Sequence, residues 1–284
     1  LLVLRARATP LTLRLMPAWA VVCGTLASGA PLPARASLVR LIVTLLLVDL
    51  GWGTLWAAIG GTNWASPVNR WRQWPIGGTI RLLPFTRPGS SSDRLSQHLG
   101  RLRAWWRQDL WPACGDALLS ITIGLVITGF LAAVLGPAWI LLSLAAFATI
   151  QLGAVIARGA GTAHPVPDAA VVLILPWLAG AAGAPPITPT RLALPAVLGV
   201  AYGASRAADR RWPRAIGPLC IAAVGAILLT TGQPIPAVAA CGLMLPPLLV
   251  NPWVARGFPG ERAARYARSW LMLAMLVSAI ATYL

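Results

Sequence analysis

Lysine is absent from this 284-residue chain, and acidic residues are scarce, with seven in all against 23 arginines. Without lysine no G-x-x-x-x-G-K-[ST] phosphate loop can be written. Seven acids leave little material for paired-carboxylate or metal chemistry. The two histidines, His98 and His164, are far apart and only His164 lies near an apolar stretch, so a bis-histidine haem is excluded. The four cysteines (Cys23, Cys114, Cys220 and Cys241) are isolated, three of them inside apolar runs, with no C-x-x-C or C-x-x-C-H spacing. They read as small hydrophobes. No Ser-His-Asp, Cys-His or paired-carboxylate arrangement is present. Only 11% of residues are charged, against about 25% in soluble domains. This composition excludes a soluble domain, a disordered chain, a disulfide-stapled scaffold and a collagen-like repeat.

Apolar sequence is abundant. Hydrophobic residues make up 57% of the chain and the mean hydropathy is +0.73, which indicates an integral membrane protein. A spanning helix needs about 20 mostly apolar residues, and nine stretches meet this pattern: 11–29, 38–60, 115–135, 138–157, 169–187, 191–206, 214–231, 234–252 and 267–284. The expected fold is an all-α polytopic bundle of about nine transmembrane helices forming a single domain over 1–284. Pro137, Pro185, Pro186, Pro189, Pro213, Pro234 and Pro236 fall at or beside expected turns, where a missing N–H costs least. Pro17, Pro176, Pro195 and Pro246 fall inside spans, which membrane helices tolerate. Gly180, Gly183, Gly199 and Gly203 suit close helix packing. The fifth and sixth spans are short and rich in Ala, Gly and Pro. The chain starts at Leu1 rather than Met, which leaves room for residues upstream, and no charged n-region with a short apolar core and A-x-A site stands out.

The net charge of +16 fits a membrane better than a nucleic acid, because arginines beside spans are held on the cytoplasmic side and attract anionic headgroups. On alternate sides of the nine-helix layout, 20 of the 23 arginines fall on one side; only Arg35, Arg40 and Arg191 fall on the other. The positive-inside rule therefore places the N-terminus in the cytoplasm and the C-terminus outside, and the expected location is the inner or cytoplasmic membrane.

The connection 61–114 differs from the rest, being long, cytoplasmic and rich in tryptophan and arginine. Its Arg87–Asp93 stretch has turn composition. From Asp93 to Leu110, apolar residues at Leu95, Leu99, Leu102, Trp105 and Trp106 follow helical spacing and predict an amphipathic helix. Such a segment suits membrane-surface anchoring, docking of a partner, or a lid over a lipid cavity. Trp74, Trp105, Trp106, Arg103 and Arg107 are its candidate contacts. Elsewhere, Asp49 lies well inside the second span, where a carboxylate is costly and marks a functional site or a protonated acid bonded to a neighbouring helix. His164 is a candidate ligand for a (bacterio)chlorophyll magnesium or a haem iron, or a solvated loop histidine.

Leu13-Arg14-Leu15-Met16-Pro17 opening the first helix with Gly24 inside it, Asn63 closing the second, and Trp111-Pro112-Ala113-Cys114-Gly115 opening the third are features of this layout. Together with the terminal orientation and the large cytoplasmic loops after helices two and six, the chain resembles the UbiA-type intramembrane prenyltransferases, chlorophyll synthases among them, over nearly its whole length. The resemblance implies two aspartate-rich motifs, N-D-x-x-D-x-x-x-D and D-x-x-x-D, whose carboxylates hold Mg²⁺ against a diphosphate leaving group. Aligned from Asn63, the three expected acids read Trp64, Pro67 and Trp71. Aligned from Val48, Asp49 is kept while Trp52 and Trp56 take the other acidic places, at mid-membrane. In the second motif Arg206 and Arg210 stand where carboxylates belong, and only Asp209 is nearby. At about 4 Å a pair of like charges costs about 4 kcal/mol at an effective dielectric of 20, so a two-metal site is disfavoured. Arginines can still clamp an anionic group.

The expected function is a non-catalytic UbiA-like accessory subunit of a larger photosynthetic or respiratory membrane complex. Its cavity would take a lipid, quinone, carotenoid or chlorophyll tail, with Asp49, Arg14 and His164 as candidate contacts. The enzymatic alternative is a divergent prenyl or phytyl transferase of quinone or chlorophyll biosynthesis, with Asp49, Asp209 and some of Asp93, Asp109 and Asp116 regrouped around Mg²⁺. A transporter would need internal repeats, and none is evident.

Overall fold

The computed structural model describes residues 11–31, 34–73, 89–160, 165–183, 188–206, 213–254 and 260–283, and among these every regular element is helical. They are α1 (Leu11–Ala27), α2 (Arg35–Gly61), α3 (Ala65–Gln73), α4 (Ser91–Leu135), α5 (Pro137–Ala160), α6 (165–181), α7 (Pro189–Arg206), α8 (Pro213–Thr230), α9 (Pro234–Val254) and α10 (Gly260–Tyr283). Prolines open α5, α6, α7, α8 and α9, at the first helical position, where the lost N–H is one of the donors without an intrahelical partner and the fixed φ suits a helix. The turn between α4 and α5 is a single residue, Gly136, at φ +118°, a conformation that side chains with a Cβ rarely adopt.

By length and composition, three helices among the described residues can cross a bilayer: Arg35–Gly61, Ser91–Leu135 and Pro137–Ala157. Several shorter apolar helices accompany them. Large apolar side chains point outward, with Phe130 and Leu141 each 68% exposed. Such contiguous apolar surface on a soluble protein would mark a binding face or aggregate; here it is the surface a lipid solvent wets. The chain is an integral membrane helical protein.

Two compact units divide the chain, one comprising 1–57 with 124–284 and the other 58–123. In the larger unit α1 packs against α6 and α10, and α7, α8, α9 and α10 pack in succession. One apolar cluster joins Met16 and Cys23 to Trp177, Leu198, Tyr202, Leu228 and Met275. A second joins Val21 to Leu47, Trp52, Trp139 and Ala179. Lipid tails are as apolar as leucine, so close packing and hydrogen bonds hold such helices together rather than expulsion from water.

Both operate where α1 crosses α6. A Cβ on Gly24 would meet the Trp177 carbonyl, and one on Gly180 would meet the Val21 carbonyl and lie 2.9 Å from the Thr25 nitrogen. The Thr25 hydroxyl lies 2.9 Å from the Val21 carbonyl of its own helix and 3.4 Å from the Gly180 carbonyl across the crossing. Indole N–H groups tie further pairs: Trp19 donates to the Met272 carbonyl at 2.9 Å, Trp139 to that of Ala179 at 3.0 Å, and Trp52 to the Ser143 hydroxyl at 3.2 Å.

The third expected span does not begin at 115 after a separate surface helix. Segment 91–110 and the apolar stretch after it form one 45-residue helix, α4, which passes through a π-helical turn at Trp106–Leu110. No residue in 105–111 is Gly or Pro, and Pro112 follows a π turn that already leaves backbone hydrogen bonds rearranged.

Gly24→Ala and Gly180→Ala should each lower the stability of the detergent-solubilised protein by about 1–3 kcal/mol. Gly129→Ala, on the exposed side of α4 with open space around it, should not. Equal melting temperatures for all three would refute the crossing.

Candidate functional site

The smaller unit holds the positions where a magnesium motif was expected. Asn63 is a helix cap: its side-chain oxygen accepts from the Ser66 N–H at 3.4 Å, ahead of α3. Trp64 donates its indole N–H to the Ile59 carbonyl at 3.2 Å. The Pro67 carbonyl accepts from the Trp105 indole at 2.9 Å. Trp71 meets Trp105 edge-on with ring centroids 5.3 Å apart. Arg101 lies over the Trp71 ring at 4.4 Å from its centroid and donates to the Trp71 carbonyl at 2.8 Å.

The Pro67 and Trp71 contacts clasp α3 to the first half of α4 through aromatic, cation–π and backbone interactions. None of the side chains at 64, 67 and 71 offers an anionic oxygen, so they do not fit a divalent cation. Among the described residues no group of three or more His, Cys, Asp or Glu could hold a metal.

Two of the three acids of this unit, Asp93 and Asp109, have structural partners; the third, Asp116, is exposed. Asp109 pairs with Arg70 at 2.9 Å, and Arg70 also donates to the Ser66 hydroxyl at 2.9 Å. With Arg70 54% exposed, the pair contributes less than about 1 kcal/mol. Asp93 opens α4: its N–H donates to the Ser90 hydroxyl at 3.2 Å, and its carboxylate accepts from the Gly89 N–H at 3.1 Å and the Gln97 amide at 3.2 Å. This is a capping arrangement between Ser90 and the third helical residue. Asp93 thus serves a helix start and Asp109 an exposed ion pair.

Asp49 is different. It lies one residue from the midpoint of Arg35–Gly61, in a π-helical turn at Leu47–Trp52, on the exposed side of the helix. Among the described residues no hydrogen bond or ion pair reaches it. Gly53, Ala57 and Gly60 continue the same exposed face, and a Cβ on Gly60 would touch nothing within 4 Å. Thus the face carries a carboxylate and a track of small residues.

At the end of the larger unit where Arg35 and Arg40 lie, the Arg40 guanidinium donates to the Gly183 carbonyl at 3.0 Å, just past the end of α6, where unpaired carbonyls and the helix dipole favour a cation. Beside it a cavity of about 10 Å³ is lined by Thr25, Ser28, Arg40, Thr44, Gly180 and Gly183. That is room for one water; a prenyl or phytyl tail does not fit. Deeper in the unit, Trp177, Tyr202 and Ser278 are fully enclosed, and among the described residues their indole N–H and two hydroxyls have no hydrogen-bond partner.

Of the other expected site residues, Trp105 is half-buried in the clasp, while Trp106, Arg103 and Arg107 are exposed. Trp74, His164, Asp209 and Arg210 lie outside the described residues, and for Arg14 and Arg206 only the helical backbone is described. Sequence reading missed the Trp71–Arg101–Trp105 clasp. Its available signal was the pairing of a tryptophan-bearing short helix with arginines on the next one. The orphaned polar groups at Trp177, Tyr202 and Ser278 leave no trace in sequence. Neither a family model nor a curated protein nor a solved structure matches the chain.

Trp71→Ala should remove an aromatic pair and a cation–π contact, worth together about 1–2.5 kcal/mol, and should speed hydrogen exchange of the α3 amides. Arg70→Ala should change exchange little. The reverse ranking would show that the ion pair, not the clasp, holds α3.

Proposed function

We propose that this protein is a non-catalytic, UbiA-like membrane subunit of a larger photosynthetic or respiratory assembly. In this reading about nine helices span the inner membrane, with the N-terminus cytoplasmic and the C-terminus outside. The interior takes a lipid, quinone, carotenoid or chlorophyll-type tail.

The observation that carries the reading is the outward carboxylate of Asp49. In hydrocarbon such a group costs about 2.5–3.5 kcal/mol at a helix centre by insertion scales. A hydrogen-bond donor or cation on a neighbouring helix offsets that cost, and Gly53, Ala57 and Gly60 let a neighbouring helix approach closely. A subunit interface supplies such a neighbour; a solitary enzyme does not need one. The use of positions 67 and 71 in a tryptophan–arginine clasp, and of Trp64 in a bond to the Ile59 carbonyl, supports the non-catalytic part, because the residues that would hold magnesium in the family have other work here.

Gentle-detergent purification at native expression, with mass spectrometry of co-eluting proteins and an absorption spectrum of extracted pigments and lipids, tests this reading. Stoichiometric membrane partners are expected, and Asp49→Ala should reduce their recovery. A solitary, colourless protein that transfers a prenyl group from its diphosphate in a Mg²⁺-dependent assay would replace this reading with the transferase.

A further inference from the structure

The first half of α4 carries its polar and apolar faces in an unexpected order. Asp93, Ser96 and Gly100 are buried, and Arg101 and Trp105 turn toward α3. The apolar residues face out: Leu95, Leu99, Leu102 and Trp106 are 55%, 40%, 44% and 42% exposed. Their spacing of four, three and four is that of a coiled-coil seam. Exposed Arg94 and His98 line one flank of the seam and exposed Arg103 and Arg107 the other.

Two occupants fit an apolar stripe with cationic flanks: an anionic bilayer surface or an acidic helix. Helix geometry separates them. Helical dihedrals continue through Trp105, Trp106 and Trp111, and α4 runs on unbroken into its apolar half. From Trp111, where that half begins, Leu102, Leu99 and Leu95 are about 14, 18 and 24 Å along the axis at 1.5 Å per residue. A tilt of 40°, the upper end for spanning helices, still leaves them about 10 to 18 Å from the hydrocarbon edge. The headgroup layer is only about 5–8 Å deep, so Trp106 reaches it and the three leucines stand beyond it. A second copy of this chain would set arginine flanks against arginine flanks.

We propose that Leu95, Leu99, Leu102 and Trp106 form a coiled-coil docking seam, standing clear of the bilayer, for an amphipathic helix of another protein that carries acidic residues beside its apolar stripe. The seam deepens the accessory-subunit reading and rests on it for the existence of a partner. Arg103 and Arg107 choose the partner's charge, and the leucines provide the buried surface.

The test uses the full chain in nanodiscs of phosphatidylcholine and phosphatidylglycerol. The probes are two synthetic three-heptad helices with leucine seams, one flanked by glutamate and one by lysine, with binding followed by fluorescence anisotropy. Saturable binding of the glutamate helix is expected. Leu99→Glu with Leu102→Glu should weaken it roughly tenfold or more, about 1.4 kcal/mol. Arg103→Glu with Arg107→Glu should shift preference to the lysine helix. These positions are exposed, so circular dichroism should remain that of the parent. No binding, equal binding of both helices, or indifference to the substitutions would overturn the seam, while leaving any co-purification of partners through the membrane face intact. A nitroxide at Leu99→Cys, read against the unsubstituted protein, should be open to a water-soluble nickel relaxant. Protection by lipid would give the surface to the bilayer instead, and spin–spin broadening between labels would give it to a second copy.

Discussion

The contact on which the larger unit depends is the backbone-on-backbone crossing of α1 and α6. A bilayer gives little hydrophobic reward for bringing helices together, so the approach must be close enough for dispersion and weak polar contacts to accumulate. Gly24 and Gly180 make it close, each leaving room for the other helix's carbonyl where a methyl group would collide. Thr25 then places a hydroxyl beside a carbonyl on each helix. From this crossing Val21 and Ala179 reach into one apolar cluster, where Trp139 of α5 meets them, and Met16, Cys23 and Trp177 reach into the other, so both clusters are registered by it.

The smaller unit solves a different problem. Its helices are polar enough to meet water, and α3 is too short to persist alone. Tryptophan and arginine hold it, since the flat guanidinium of Arg101 stacks on Trp71 while its N–H groups reach a carbonyl. Trp71 offers no anionic oxygen, and it fills its place with a contact that α3 needs.

Much of this was legible in sequence, for definite reasons. Proline at helix starts and glycine at Gly136 are read easily because each has one cheap backbone use. The apolar runs mark membrane helices because hydrocarbon forces backbone groups to pair within the segment. Gly180, Gly183 and Gly199 were expected at close contacts, and each has one, against α1, Arg40 and Ile174 in turn. The amphipathic stretch near 93–110 was also visible, because apolar residues at helical spacing show there. Its fusion with the following span was not visible, because a change from polar to apolar composition looks the same whether the helix bends, breaks or continues.

The direction in which α4 turns its apolar stripe lay still further from the sequence. An amphipathic helix usually buries its apolar face, but here the clasp uses Arg101 and Trp105, and the leucines are left outside. Composition by itself determined the solvent, a membrane, and the helical class, since both follow from the cost of unpaired backbone polar groups in hydrocarbon. Proline and the ends of apolar runs marked most helix boundaries, but not the continuation through 105–115. Only the tertiary structure decided which face of each helix meets a neighbour, and hence that Asp49 points outward and that Trp71 packs in a tryptophan–arginine clasp. Those choices depend on contacts between residues tens of positions apart, and no local pattern carries them.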